Sequence, residues 1–201
     1  MSAKPHFLLN QLTPIIQRRL GSQATSALVT SARERSDQLR RENPDEPRCV
    51  RNHTDQAFDA IGLFEGRLAQ GDTRQEAARF LYEIFAENAE TSAAQMRKLM
   101  KLPGAVYTMA PAFKLVTRLS FGTNAGFRFH FYKTGWKRAK FDMLRCPYCE
   151  VAKRYGCPEI VPAFCHTDDV NNENAHPRLH WKRTKTLGNG DDCCDFEIEL
   201  D

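Results

Sequence analysis

The segment CCDFEIEL, residues 193–200, decides the fold of the C-terminal part of this chain. Every second side chain is apolar, and alternation with a period of two is the pattern of a strand with one buried face. The predicted buried face consists of Cys194, Phe196, Ile198 and Leu200, and Cys193 begins the outward face.

Two other segments have the same period. In KRAKFDMLR, residues 137–145, Ala139, Phe141 and Met143 share a face, and in RLHWKRTKTL, residues 178–187, Leu179 and Trp181 do so. Residues 147–169, between these strands, hold one or two short helices. Residues 125–201 are therefore predicted to form an antiparallel sheet with helices packed on one side.

Before residue 125 the apolar spacing is helical. Helices are predicted over 22–42, 54–69 and 73–100, the last beginning with a capping box formed by Thr73 and Glu76. The prediction is a single α+β domain over 1–201, with a helical N-terminal half packed on a small antiparallel sheet. Residues 1–50 form a helical extension that starts with an amphipathic helix, 51–124 a helical core, and 125–201 the sheet that carries the site.

Charge and hydropathy restrict the function classes. The net charge of +4 is modest and has no dense basic arm, which argues against a nucleic-acid partner. No apolar run approaches the roughly 20 residues that span a bilayer, and the N-terminus lacks a signal peptide. The predicted location is cytoplasmic, with no membrane partner; a homo-oligomer is left open.

Six of the seven cysteines lie in the last 56 residues, and the odd count argues against a disulfide scaffold. The densest group of reactive side chains is PAFCHTDD, residues 162–169. In a helix starting near residue 159 or 160, Val161, Cys165 and Asp168 form one stripe. A Cys165 thiolate near His166 or Arg183 would have a lowered pKa and serve as a nucleophile; the alternative is a solvated helix end.

Strand alternation selects two further residues. Arg183 projects to the apolar face of its strand, where a guanidinium needs an anion from the protein or from a ligand. The alternative is a strand-end arginine whose stem packs while its head reaches water. Cys194 is a site candidate or a small buried hydrophobe, whereas Cys193 is incidental.

A metal site is a further alternative. CPYC, residues 146–149, is followed by Cys157 and then by Cys165 and His166, which suggests a zinc-stabilised module. A zinc ribbon, however, uses two paired knuckles, and here the second pair is replaced by single cysteines. We therefore predict no metal.

The run RCPYCEVAKRYGCPEIVPAFCHTDD, followed by HPRLHWKRTKTLGNGDDCCDFEIE, resembles the L-2-amino-thiazoline-4-carboxylic acid hydrolase family over about the last 60 residues. The resemblance implies the hydrolytic opening of a cyclic amidine-thioether ring to an N-carbamoyl amino acid, without a cofactor. It implies a small substrate that bears a carboxylate and pairs with Arg183. The implied catalytic residues are Cys165, Asp168 and Cys194, and the implied substrate-binding residues are Arg183, Tyr148, Cys146 and Thr186.

The predicted function is a cysteine-dependent, hydrolase-like enzyme that acts on an amino-acid-derived cyclic amidine, thiazoline or imine in secondary metabolism. Two alternatives remain. One is a cyclase or lyase of a biosynthetic pathway that uses the same site. The other is a non-catalytic ligand-binding or zinc-stabilised module.

Overall fold

The computed structural model describes residues 6–133 and 135–201, and it contains helices and one antiparallel sheet. The helices are α1 Phe7–Leu20, α2 Ser22–Glu42, α3 Arg48–Ala69, α4 Arg74–Met100, α5 Met109–Ser120, α6 Pro147–Arg154 and α7 Val161–Asn172. The strands are β1 Arg128–Phe131, β2 Arg138–Arg145, β3 Leu179–Lys182 and β4 Cys194–Leu200. The predicted α+β class and all three predicted strands are confirmed.

The chain forms two compact units: Met1–Asn88 with Pro147–His166, and Ala89–Cys146 with Thr167–Asp201. The prediction of a single domain with three parts stays a prediction. Of the residues that this prediction covers, 1–5 and 134 lie outside the described part of the chain. Within the part of the chain that is described, none of the helices combines the length and apolarity that crossing a bilayer requires.

The first unit has a helical core. Its largest fully buried side chains come from α1, α2, α3, α4 and the turn before α7, and include Leu9, Leu12, Ile16, Leu28, Leu39, Phe58, Ile61, Phe64, Leu81, Ile84 and Ile160. At Gly62 the backbone of α3 approaches α2 so closely that an added Cβ would lie 2.4 Å from the Ala32 carbonyl oxygen.

A buried carboxylate links the helices of the first unit. Asp59 is 1 % exposed and accepts hydrogen bonds from Ser36 Oγ at 2.6 Å and Arg40 Nη2 at 2.9 Å. The predicted capping box at the start of α4 is also present. The Thr73 amide donates to Glu76 Oε2 at 2.8 Å, and the Glu76 amide donates to Thr73 Oγ1 at 3.2 Å.

The second unit contains the sheet, with strand order β1-β2-β4-β3 and antiparallel pairing throughout. Ala139 pairs with Ile198 and Phe141 with Phe196, so the apolar sides of β2 and β4 coincide. Met109 and Ala110 of α5 belong to the same buried cluster as Ala139 and Ile198. Thus α5 covers the apolar face, and the opposite face carries charged side chains, as the alternation predicts.

Candidate active site

The acidic end of α7 is placed by local sequence. A short 3₁₀ turn over Pro158–Ile160 precedes the helix, and Pro162 occupies its first turn, where the missing amide hydrogen is not needed. At the other end, the Asn171 and Asn172 side chains donate to the carbonyls of Thr167 and Asp168. The predicted helix is present and extends beyond residue 169, which places Asp168 and Asp169 in its last turns.

Arg183 follows β3 directly, and its side chain is only 5 % exposed. Its Nη2 donates to Asp169 Oδ2 at 2.5 Å, and its Nη1 lies 3.5 Å from Asp168 Oδ2. The guanidinium carbon also lies 5.5 Å from the centre of the Phe196 ring. The anion that a buried arginine requires is therefore supplied by protein carboxylates, and the head does not reach into water.

Trp181 contributes a second donor. Its Nε1 donates to Asp169 Oδ1 at 2.9 Å, so both oxygens of this carboxylate are engaged. Trp181 of β3 and Arg183, one residue beyond the end of that strand, both meet Asp169. Asp169 is thus fixed in orientation by charge-assisted hydrogen bonding.

Asp168 has a strongly perturbed acidity. Desolvation by the surrounding protein raises the pKa of its carboxyl to about 7; the Arg183 guanidinium opposes the rise, and the Asp169 carboxylate adds to it. The side chain keeps 46 % of its accessible area, so solvent reaches the carboxyl. A carboxyl that titrates near neutrality and is open to solvent can exchange protons with a bound molecule.

Cys194 lies on the apolar face of β4 and is 3 % exposed. Its sulfur accepts a hydrogen bond from the Leu187 amide at 3.2 Å. Desolvation raises the pKa of this thiol to about 12; the Leu187 amide and Arg183 oppose the rise, whereas Cys146 and Asp168 add to it. At neutral pH Cys194 is therefore a thiol rather than a thiolate.

The loop from Thr184 to Cys193 is held by carboxylates. Asp195 Oδ1 accepts from the Thr184 amide at 2.8 Å and from the Lys185 amide at 2.5 Å, and its pKa is lowered because these hydrogen bonds outweigh its desolvation. The Thr186 amide donates to Asp191 Oδ2 at 2.7 Å, and the Thr186 hydroxyl accepts from the Asn189 amide at 3.1 Å. The hydroxyl of Thr186 is thus engaged in shaping this loop.

The predicted site residues fall into two groups. Asp168, Arg183, Cys194, Cys146 and Thr186 all belong to the second unit. Cys146, Arg183 and Asp168 lie close enough to Cys194 to act on the pKa of its thiol.

The other two predicted site residues belong to the first unit. The Tyr148 hydroxyl lies 3.0 Å from His53 Nδ1, and its ring stacks on Phe164 with the centroids 4.4 Å apart. Cys165 is half-buried on α7. The predicted roles of Tyr148 and Cys165 stay predictions.

Cys193 was predicted to face away from the apolar side of β4. Its thiol lies close enough to Asp142 and Lys185 for their charges to act on its pKa, which desolvation raises. It is nevertheless only 7 % exposed, because it lies in the loop that precedes β4 and not at an open strand surface.

Two residues of the cluster are absent from the predicted site, namely Asp169 and Trp181. The predicted helical stripe that contains Cys165 includes Asp168 but not Asp169. Trp181 could have been predicted as a site residue from the sequence, because alternation places it on the same face as Arg183 and two donors on one face can meet one acceptor.

In the described part of the chain, the cysteines do not form the zinc site that the sequence offered as an alternative. There, no group of three or more histidine, cysteine, aspartate or glutamate side chains is placed to hold a metal ion. Cys149 and Cys157 are buried, and desolvation raises the pKa of the Cys157 thiol to about 12. All seven cysteines are free thiols.

The fold and this cluster define an α+β protein with a buried guanidinium that binds two carboxylates. A family model described as L-2-amino-thiazoline-4-carboxylic acid hydrolase matches residues 57–198. Because the match covers more than half of the chain, the chain belongs to the L-2-amino-thiazoline-4-carboxylic acid hydrolase family. The resemblance in the last 60 residues is thereby confirmed, and the match extends back into α3. No curated protein matches the chain.

Proposed function

We propose that this chain hydrolyses a small, amino-acid-derived cyclic amidine, thiazoline or imine, and that Asp168 is the acid–base group of the reaction. The observation that carries the proposal is that the Asp168 carboxyl has a pKa of about 7 while its side chain is 46 % exposed. A group that titrates near neutrality can both accept and return a proton at working pH. The family to which the chain belongs supports the substrate class.

The proposed step needs only water as a second reactant. Asp168, in its carboxylate form, accepts one proton from water as the water oxygen bonds to the amidine carbon and the electron pair of the C=N bond moves to the ring nitrogen. The second water proton passes from the added hydroxyl to that nitrogen as the carbon–oxygen double bond forms and the carbon–sulfur bond breaks. Asp168 then returns the first proton to the leaving sulfur. The products are a free thiol and an N-carbamoyl group whose oxygen came from water.

Arg183 and Asp169 support this role. The Arg183 guanidinium lies 3.5 Å from the Asp168 carboxylate and opposes the rise in its pKa, while its tighter contact to Asp169 holds it in place. We propose that Arg183 positions Asp168 and tunes its acidity. If Arg183 also bound the carboxylate of a substrate, its guanidinium would be shared between that group and the carboxylates of Asp168 and Asp169.

Cys165 is a second candidate for the chemistry. We retain the proposal that it acts as a nucleophile or an acid–base group with Asp168 as its partner, since the two residues are three positions apart on α7. The high pKa of Cys194 favours a different role for that thiol, in which it shapes the pocket. We further propose a cytoplasmic location, because the odd number of cysteines argues against a disulfide scaffold.

The test is turnover of L-2-amino-thiazoline-4-carboxylate, followed by the appearance of the product thiol and by mass spectrometry. Asp168→Asn should lower kcat at least about 100-fold, because acid–base catalysis contributes that much or more. Asp192→Asn is the matched control, since Asp192 is 78 % exposed and pairs with Lys185 at the surface.

Other outcomes of this test assign other roles. Full activity of Asp168→Asn would remove Asp168 from the mechanism, and loss of turnover in Cys165→Ser would give that thiol the central role. Binding without turnover would identify a ligand-binding protein. Formation of the ring from the N-carbamoyl amino acid would identify a cyclase.

A further inference from the structure

The charge of the chain is concentrated in one segment. Residues 91–141 contain ten lysine and arginine residues and no aspartate or glutamate, although the whole chain has a net charge of only +4. The remaining 150 residues therefore have a net charge of −6. This acid-free segment, residues 91–141, lies entirely in the second unit.

The acid-free segment also carries most of the exposed large apolar side chains. Of eleven such residues in the described chain, eight lie within it. They are Leu99, Leu102, Tyr107, Leu115, Val116, Leu119, Tyr132 and Trp136. Scattered apolar residues need no explanation, but a group of them on one face of a helix marks an interaction surface.

Such a group lies on α5. Leu115, Val116 and Leu119 are 58 %, 55 % and 77 % exposed, and their spacing places them on one face of the helix. The opposite side of the helix packs on the sheet: Ala110 is buried in one cluster with Ile198, and the Phe113 ring centre lies 5.4 Å from that of Phe141. This helix therefore has two apolar faces, of which the protein covers one.

Basic side chains flank the outer face of α5. The Arg118 guanidinium lies 4.6 Å from the centre of the Phe131 ring, and Lys114 Nζ lies 5.7 Å from the same ring. Phe131 is the last residue of β1, immediately before the turn that carries Trp136, which is 77 % exposed. The contact between Arg118 and Phe131 thus joins the end of α5 to the turn that carries the exposed indole.

We infer that the acid-free segment docks on a lipid bilayer surface rich in anionic phospholipid, with Leu115, Val116 and Leu119 inserted among the lipid chains. An interfacial helix combines an apolar face with flanking lysine and arginine, and the basic groups pair with phosphate and carboxylate headgroups. Tryptophan and tyrosine are the residues that favour the membrane–water boundary. A helix lying in the interface needs no bilayer-spanning apolar run, so the prediction of no membrane partner rested on a criterion that does not detect it.

The observations favour a bilayer over two other occupants. A second copy of this chain would bring the Lys114 and Arg118 charges of both copies to one interface, which is unfavourable. A nucleic acid would use the basic and aromatic side chains, but it would leave the three aliphatic side chains of α5 without a function. A lipid surface accounts for both the charge and the aliphatic face, and this inference is independent of the proposed catalytic activity.

The test is cosedimentation of the full chain with vesicles of phosphatidylcholine alone and with about 30 % phosphatidylserine added. Binding is expected only to the anionic vesicles, with a large loss between about 50 mM and 500 mM salt. The double variant Leu115→Ser with Leu119→Ser should lower the partition coefficient at least about tenfold. Vesicle binding should also shift Trp136 fluorescence to the blue, and Trp136→Phe should remove that shift.

Leu144→Ser is the matched control, because Leu144 is an exposed leucine, at 37 %, outside the acid-free segment. It should bind vesicles as the unmodified chain does. No binding to anionic vesicles, or equal binding by the double variant, would overturn the inference. So would a dimer that the double variant abolishes, or binding to RNA with no binding to vesicles; these outcomes would assign the surface to a second copy or to a nucleic acid.

Discussion

Arg183 donates from Nη2 to Asp169 Oδ2 across 2.5 Å, and this pair joins the end of β3 to the last turns of α7. The arginine side chain is 5 % exposed and that of Asp169 is 22 % exposed. Little solvent is therefore available to replace either partner. The contact thus bears on both the stability of the second unit and the geometry of Asp168.

Removal of the Asp169 charge should destabilise the protein. We expect Asp169→Asn to lower the free energy of unfolding by about 2–4 kcal/mol, because it weakens the main ion pair of a buried guanidinium. Urea unfolding measures the change. Glu199→Gln, which alters the exposed pair with Lys182, should have no measurable effect. Equal stability of Asp169→Asn and the unmodified protein would show that Asp168 alone compensates Arg183.

Asp168 should make stability depend on pH. Its pKa is raised from 3.8 to about 7 on folding, so between these values the folded chain retains a proton that the unfolded chain releases. The free energy of unfolding should therefore fall as pH rises from about 4 to 7. Melting temperatures across this range should show that Asp168→Asn removes this component, whereas Asp192→Asn retains it. A pH dependence unchanged in Asp168→Asn would contradict the raised pKa.

Alkylation should distinguish the cysteines. Cys49 is exposed, whereas Cys194 and Cys157 are buried and have pKa values of about 12. At pH 8 iodoacetamide should modify Cys49 first and these two at least about a hundredfold more slowly, since the thiolate is the reactive form. Peptide mapping over time measures the order. Rapid labelling of Cys194 in the folded protein would mean that its thiol is more acidic and more accessible than its surroundings indicate.

Packing between α2 and α3 should tolerate no side chain at residue 62. Gly62→Ala should cost at least about 2 kcal/mol of stability, because its Cβ would lie 2.4 Å from the Ala32 carbonyl oxygen. Gly135→Ala is the control, since a Cβ there meets nothing within 4 Å, and its effect should stay within about 0.5 kcal/mol. Thermal unfolding of both variants provides the comparison. A stable Gly62→Ala variant would mean that the two helices separate easily.

Local periodicity was sufficient to predict the strands and several helices. The face shared by Phe196 and Ile198 and the capping box at Thr73 depend on neighbours in sequence, and both are present. The same alternation predicted that Arg183 requires an anion. It could not identify that anion as Asp169, because the approach of a helix end to a strand end depends on tertiary packing. The helix α5 received no individual prediction, since its exposed leucines hide the usual single apolar stripe.

The charges around Arg183 have a consequence for ligand binding. With Asp168 protonated, Arg183, Asp169 and Asp168 together carry no net charge, and loss of that one proton leaves the group singly negative. An amidinium ligand complements the negative form and would therefore bind with release of a proton near pH 7. Calorimetric titration in buffers of different ionisation heat would detect the released proton. Binding heats that do not change with the buffer would show that the group is already deprotonated or takes no part in binding.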